Sequence, residues 1–109
     1  MSKVSSRSDK LKDLMEQVKL CIDKGNYRFS NHALERKQQR ALILSDILYI
    51  LRNGYHEKVK DTWDEERRMW KYSIRGKTID MSESRIIITI DQSGMLIITV
   101  IRLNAKEIR

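Results

Sequence analysis

The sequence has no proline and a single cysteine among its 109 residues. Without proline, no stretch reads as a stiff polyproline spacer, and one compact domain is expected rather than two units on a rigid linker. A lone Cys21 cannot close an internal disulfide, which suits a reducing compartment and makes the cytoplasm the expected location. Cys21 falls within an apolar helical pattern, so it is expected as a small core residue rather than a reactive thiol. One cysteine and two distant histidines cannot build a structural zinc site. The four glycines all fall at apparent turns, so no glycine-rich phosphate loop exists, and no GxSxG elbow occurs. No apolar run reaches the roughly 18 residues of a membrane-spanning helix. The polar residues 1–8 lack the apolar stretch of a secretory signal. No metal, cofactor or membrane partner is therefore expected.

What is present points to a soluble globular chain with an anionic partner. Apolar residues make up 40% and charged residues 34%, enough to bury one core. The formal net charge is +7, which favours nucleic acid, an acidic protein or another anionic surface without choosing among them.

Helical signals come first along the chain. Leu11, Leu14, Met15, Val18, Cys21 and Ile22 recur at threes and fours, predicting a helix over 10–24 that stops at Gly25. A short extended piece, 27–29, precedes a second helix capped by Ser30 or Asn31. That helix is thin in apolar residues and is expected on the surface. A third helix begins after Ser45, with Asp46 at the positive end of its dipole, and ends at Arg52-Asn53-Gly54. The period then changes to two. Residues 55–60 read as a strand, and 61–66, with Asp61, Asp64, Glu65 and Glu66, as an acidic solvated loop. Residues 69–75 alternate, with Trp70, Tyr72 and Ile74 on one face. A tight turn at 76–77 and a short strand over 78–81 follow. Residues 85–90 and 96–101 form a β-branched hairpin around 91–94. Helices followed by strands predict an α+β fold, with two or three helices packed on a twisted four- to five-stranded antiparallel sheet. The expected organisation is a flexible leader over 1–9, a single domain over 10–103 and a polar tail over 104–109.

His32, Arg36 and Arg40 recur every four residues, so on a helix they share one face. With glycine loops and metal sites excluded, the stripe is either a solvated basic helix face with a capping-region histidine or the seat of metal-independent phosphodiester chemistry, such as cleavage of RNA by its own 2′-hydroxyl. Such a reaction needs a base, an acid for the leaving oxygen, and cations for the phosphorane charge. The candidates are His32, Arg36 and Arg40 on the helix, and Tyr72, Arg75 and Arg102 on the sheet. His56 follows the helix stop and is expected to be exposed. Trp63 is either an anchor for its loop or, if solvent-facing, a ring on which a base can stack.

The order Phe29-Ser30-x-His32-Ala33-x-x-Arg36-x-x-x-Arg40, a helix ending Leu51-Arg52-Asn53-Gly54, an aromatic–basic strand and a last strand ending Ile101-Arg102 resemble a small uncharacterised bacterial domain family. That family carries a His-Ala-x-x-Arg-x-x-x-Arg signature and is similar in outline to the RelE-like toxins, including the MqsR and BrnT branches. The resemblance implies a RelE/MqsR-like α+β fold and an mRNA endoribonuclease, a toxin paired with an antitoxin of zinc-finger or helix-turn-helix type. It implies His32, Arg36 and Tyr72 as catalytic residues and Arg40, Arg75 and Arg102 as phosphate-binding residues. The alternative is a non-catalytic RNA- or protein-binding module of the same fold. The extra N-terminal helix, and Ala41-Leu42 where many members turn at Gly or Asn, depart from the family pattern.

Overall fold

A computed structural model describes residues 7–39 and 42–103. Among them are three helices, α1 (Leu14–Asp23), α2 (Asn31–Gln39) and α3 (Leu44–Asn53). Six strands accompany them: β1 (Tyr27–Phe29), β2 (Tyr55–His56), β3 (Thr62–Asp64), β4 (Met69–Lys77), β5 (Glu83–Asp91) and β6 (Gly94–Arg102). The α+β class is as expected, but the sheet has six strands, not four or five, and is mixed rather than antiparallel. Its order is β1-β6-β5-β4-β2, with β3 also pairing to β4, and β1 lies parallel to β6. β1 adds to the sheet edge left by β6 and runs in the same direction as it. Nothing in a three-residue extended segment announces its direction.

One face of the sheet carries the core. Tyr72, Ile74, Ile86, Ile88, Met95, Ile97 and Val100 alternate inward along β4, β5 and β6 and are buried. They pack with Leu14, Val18 and Cys21 of α1 and with Ile47, Ile50 and Leu51 of α3. Cys21 is thus a core residue, and burial pushes its thiol pKa up. Truncating one of the fully buried isoleucines to alanine costs on the order of 2–5 kcal/mol.

Helix α1 starts at Leu14 rather than residue 10, because residues 8–11 are drawn into contacts with the sheet. The Tyr72 hydroxyl accepts the Leu11 N–H at 2.9 Å, and the Trp70 indole donates to the Ser8 carbonyl at 2.7 Å. Helix α3 starts one residue before the expected cap. Ile43 precedes it, and the Asp46 carboxylate reaches back to the Ile43 N–H at 3.4 Å. No turn forms at 76–77, and no strand at 78–81. β4 runs on to Lys77, and the connection to β5 is closed by Thr78, whose backbone N–H bonds to Ser82 and whose hydroxyl bonds to Asp80. The β5–β6 hairpin turns where expected, with Asp91 opposite Gly94.

The β5–β6 ladder contains a bulge. Ile87 and Ile88 face Thr99 and Ile97, so Ile98 is the extra residue. An extra residue bends its strand and frees a carbonyl from the ladder. The Ile98 carbonyl is taken by the Ser30 hydroxyl at 2.7 Å, and the Ile97 carbonyl by the Ser30 N–H at 2.9 Å. The start of α2 is thereby pinned to β6.

Candidate functional site

Ser30 is the N-cap of α2, its Oγ accepting the Ala33 N–H at 3.0 Å while its own proton goes to Ile98. One hydroxyl satisfies a first-turn donor and ties the helix to the bulge. Ala33, fully buried, seats the helix against the core. His32, between these anchors, is exposed. A shallow hollow of about 240 Å³ lies beside it, with Ser30, Arg67, Lys71, Leu96 and Ile98 in its walls. Lys71 alternates with the core residues Trp70 and Tyr72, so this hollow lies on the sheet face opposite the hydrophobic core.

Asp64 also lines the hollow and holds its cations in place. It accepts the Arg67 backbone N–H at 2.9 Å and lies 3.4 Å from the Arg67 guanidinium and 3.7 Å from Lys71 Nζ. The Arg67 N–H first, then the Lys71 and Arg67 charges, hold its carboxyl below the usual range. Two cations, Arg67 and Lys71, thus stand beside an imidazole, Arg67 also lying 3.7 Å from the solvent-exposed Glu66 carboxylate. That combination attracts a phosphodiester and supplies one acid–base group.

The structure gathers the expected residues only in part. His32 and Arg36 lie one turn apart on α2, Arg36 half-buried. Arg40 lies outside the described residues. Arg75 is on the same sheet face as Lys71 but within an ion cluster, its Nη1 3.2 Å from Glu57 and its Nε 3.0 Å from Glu83. Arg85 closes the cluster on Glu57 at 2.7 Å. Arg102 is exposed at the far end of β6 and faces Ser84 across the ladder. Tyr72 points to the core face, away from His32, and burial pushes its phenol pKa up.

A second constellation is not evident from sequence spacing. His56 is not exposed: its side chain is 11% accessible and its Nε2 lies 2.7 Å from Asp61 Oδ2. Asp61 is not part of a solvated loop either, since its side chain has no accessible surface. It fills a gap in the β4 edge. β2 pairs with β4 at Ile74 and Arg75, and β3 at Met69, Trp70 and Lys71. Between them the Ser73 N–H would be left without a partner, and Asp61 Oδ1 accepts it at 2.9 Å. The 3₁₀ turn Lys58–Lys60 loops out to allow this. Lys10 Nζ reaches the same carboxylate at 3.0 Å, and the His56 ring meets the Tyr72 ring edge-on at 5.7 Å. No signal in the sequence marks this, since the break between β2 and β3 is set by pairing along β4. Trp63 belongs to this edge too: it packs on Trp70 at 5.5 Å and is half-buried, not free in a loop.

Among the described residues, no group of three or more His, Cys, Asp or Glu side chains is placed to hold a metal ion. No helix among them is long and apolar enough to cross a membrane. No curated protein matches the sequence. The domain of unknown function DUF4258 matches residues 29–102, which begin at the last residue of β1 and end with β6. The span takes in α2 with His32, the His56–Asp61 pair and all of β4, β5 and β6. More than half of the chain lies within it, and the protein belongs to the DUF4258 family.

Proposed function

We propose that this domain binds RNA on the open face of its sheet and cleaves it without a metal, as the toxin of a toxin–antitoxin pair. The observation that supports this reading is the hollow that sets His32 beside Arg67 and Lys71 at the bulge of β6. His32 would take the proton of a 2′-hydroxyl. Attack on the adjacent phosphorus then expels the 5′-oxygen, which takes its proton from solvent water, leaving a cyclic phosphate and a free 5′-hydroxyl, while the proton held by His32 is returned to solvent. Arg67, Lys71 and Arg36 would offset the charge on the phosphorane, with Arg40 proposed as a further phosphate contact. A protein partner that covers this basic face would silence the activity.

The test is expression in a bacterial host. Wild type is expected to arrest growth with loss of mRNA, and His32→Ala or Lys71→Ala to release the arrest at equal soluble protein. Arrest by the variants equal to that of wild type overturns the assignment.

A second reading, an RNA-binding module without catalysis, is favoured by the position of Tyr72, which leaves the open face without the expected proton donor. On that reading Arg67→Ala and Lys71→Ala each weaken RNA binding and each lower the salt slope by roughly one phosphate contact. No cleavage would accompany the loss.

A further inference from the structure

A hollow of about 500 Å³ lies on the other side of the molecule, between the residues leading into α1 and the β2–3₁₀ segment. That volume falls in the range of small-molecule sites, roughly 300–1,000 Å³. His56 stands in its wall. The ring is committed on one side only: Nε2 bonds to Asp61, whose side chain is fully buried, and among the described residues no hydrogen bond reaches Nδ1. Asp61 is itself fixed by the Ser73 N–H and Lys10, so the ring is held by a carboxylate that cannot swing away. An imidazole anchored through one nitrogen presents the other to a ligand in a set direction.

The rest of the wall has three kinds of chemistry. Lys12 and Lys58 bring positive charge, Asp13 and Glu16 bring acceptors, and Leu11 and Met15 bring apolar surface. Lys10 also lines the hollow, but its charge is matched by Asp61, and the remaining two acids and two lysines balance, so a simple anion would gain little here. A nucleotide carries all three complementary features: a phosphate, a flat apolar ring system and N–H groups along the ring edge.

We propose that this hollow binds a mononucleotide, with its phosphate on His56, Lys12 and Lys58 and its base against Leu11 and Met15. Asp13 and Glu16 accept the N–H groups of the base, which favours guanine, whose edge offers adjacent donors. This site is independent of the RNA-cleaving reading, since His32 and His56 lie on different sides of the sheet. A free nucleotide and the phosphorylated end of an RNA share the chemistry.

The protein's two histidines make the test direct. With ring-labelled histidine in the full chain, 5′-GMP is titrated and both imidazoles are followed by NMR. The His56 signals are expected to shift and saturate while those of His32 stay in place. Lys58→Ala, an exposed substitution that leaves the fold intact, is expected to weaken binding about tenfold, as for loss of a charge-assisted contact. His56→Gln is expected to abolish it. Tighter binding of GMP than of a 5′-phosphorylated tetranucleotide assigns a free nucleotide, and the reverse order assigns an RNA end. The proposal is overturned if the His56 signals do not move at millimolar GMP, or if Lys58→Ala binds as tightly as wild type. Movement of His32 alone also overturns it, and places the nucleotide on the open face instead.

Discussion

At the scale of single residues, buried charge carries the strongest consequences. Asp61 accepts from Ser73, His56 and Lys10 at once, so its loss strands the buried Ser73 N–H and the mostly buried His56 ring, while the partly exposed Lys10 turns to water. Asp61→Ala is expected to destabilise the protein by about 3–5 kcal/mol, the range for breaking a buried charged pair, read as a shift in urea midpoint. A change within the scatter of exposed surface substitutions would show that the edge gap is filled by water instead. Glu57 gives a pH signature. The Arg85 guanidinium above all, and Arg75 after it, hold its carboxyl below the usual range against the opposing effect of burial. A carboxyl with a native pKa below its unfolded value of about 4.3 adds stability that is complete above that value. The contribution is lost as pH falls through the native pKa. Glu57→Gln is therefore expected to lower the melting temperature at pH 7, with the gap to wild type narrowing steadily below about pH 4. Neither role was legible in the sequence. Glu57 and Asp61 follow a helix stop in a charged stretch, and only the interrupted pairing along β4 turns them inward.

At the scale of elements, the positioning of α2 decides whether a site exists. Ser30 was legible as a cap because a hydroxyl before a helical run is the ordinary solution for unpaired first-turn donors. Its second bond, to the bulge carbonyl of Ile98, was not, because a bulge depends on strand pairing across the whole sheet. Ser30→Ala is expected to cost about 1–2 kcal/mol and to loosen α2 selectively, seen as faster amide exchange in the first turn of α2. Unchanged exchange there would contradict the pinning. Where α3 passes into β2, backbones approach closely: a Cβ on Gly54 would collide with the carbonyl oxygens of Arg75 and Ile50. Gly54→Ala is expected to destabilise by roughly 1–3 kcal/mol, as overpacking does, measured by thermal unfolding. The alternating strands 69–77, 83–91 and 94–102 were legible in outline, since their period of two survives any error in their ends. The tight turn expected at 76–77 was misplaced because Gly76 serves close packing against Gly54 and Ile50, not a reversal.

At the scale of the molecule, the sheet separates two chemistries. The core face supports α1 and α3 and, at its edge, the His56–Asp61 pair. The open face carries His32, Arg67 and Lys71 beside the neutral cluster of Glu57, Arg75, Glu83 and Arg85. The helical stripe of His32 and Arg36 was legible because four-residue spacing fixes a helix face. Its neighbours Arg67 and Lys71 were not, because they reach it only through the order β1-β6-β5-β4 and the β3–β4 pairing. The most direct test of the central claim uses purified protein and RNA in the presence of EDTA, with wild type, His32→Ala and Lys71→Ala compared at matched stability. The account expects wild type to cleave and leave cyclic-phosphate ends, with each variant slowed by about 100-fold or more. Cleavage at the wild-type rate by folded His32→Ala, or none by folded wild type, would contradict it.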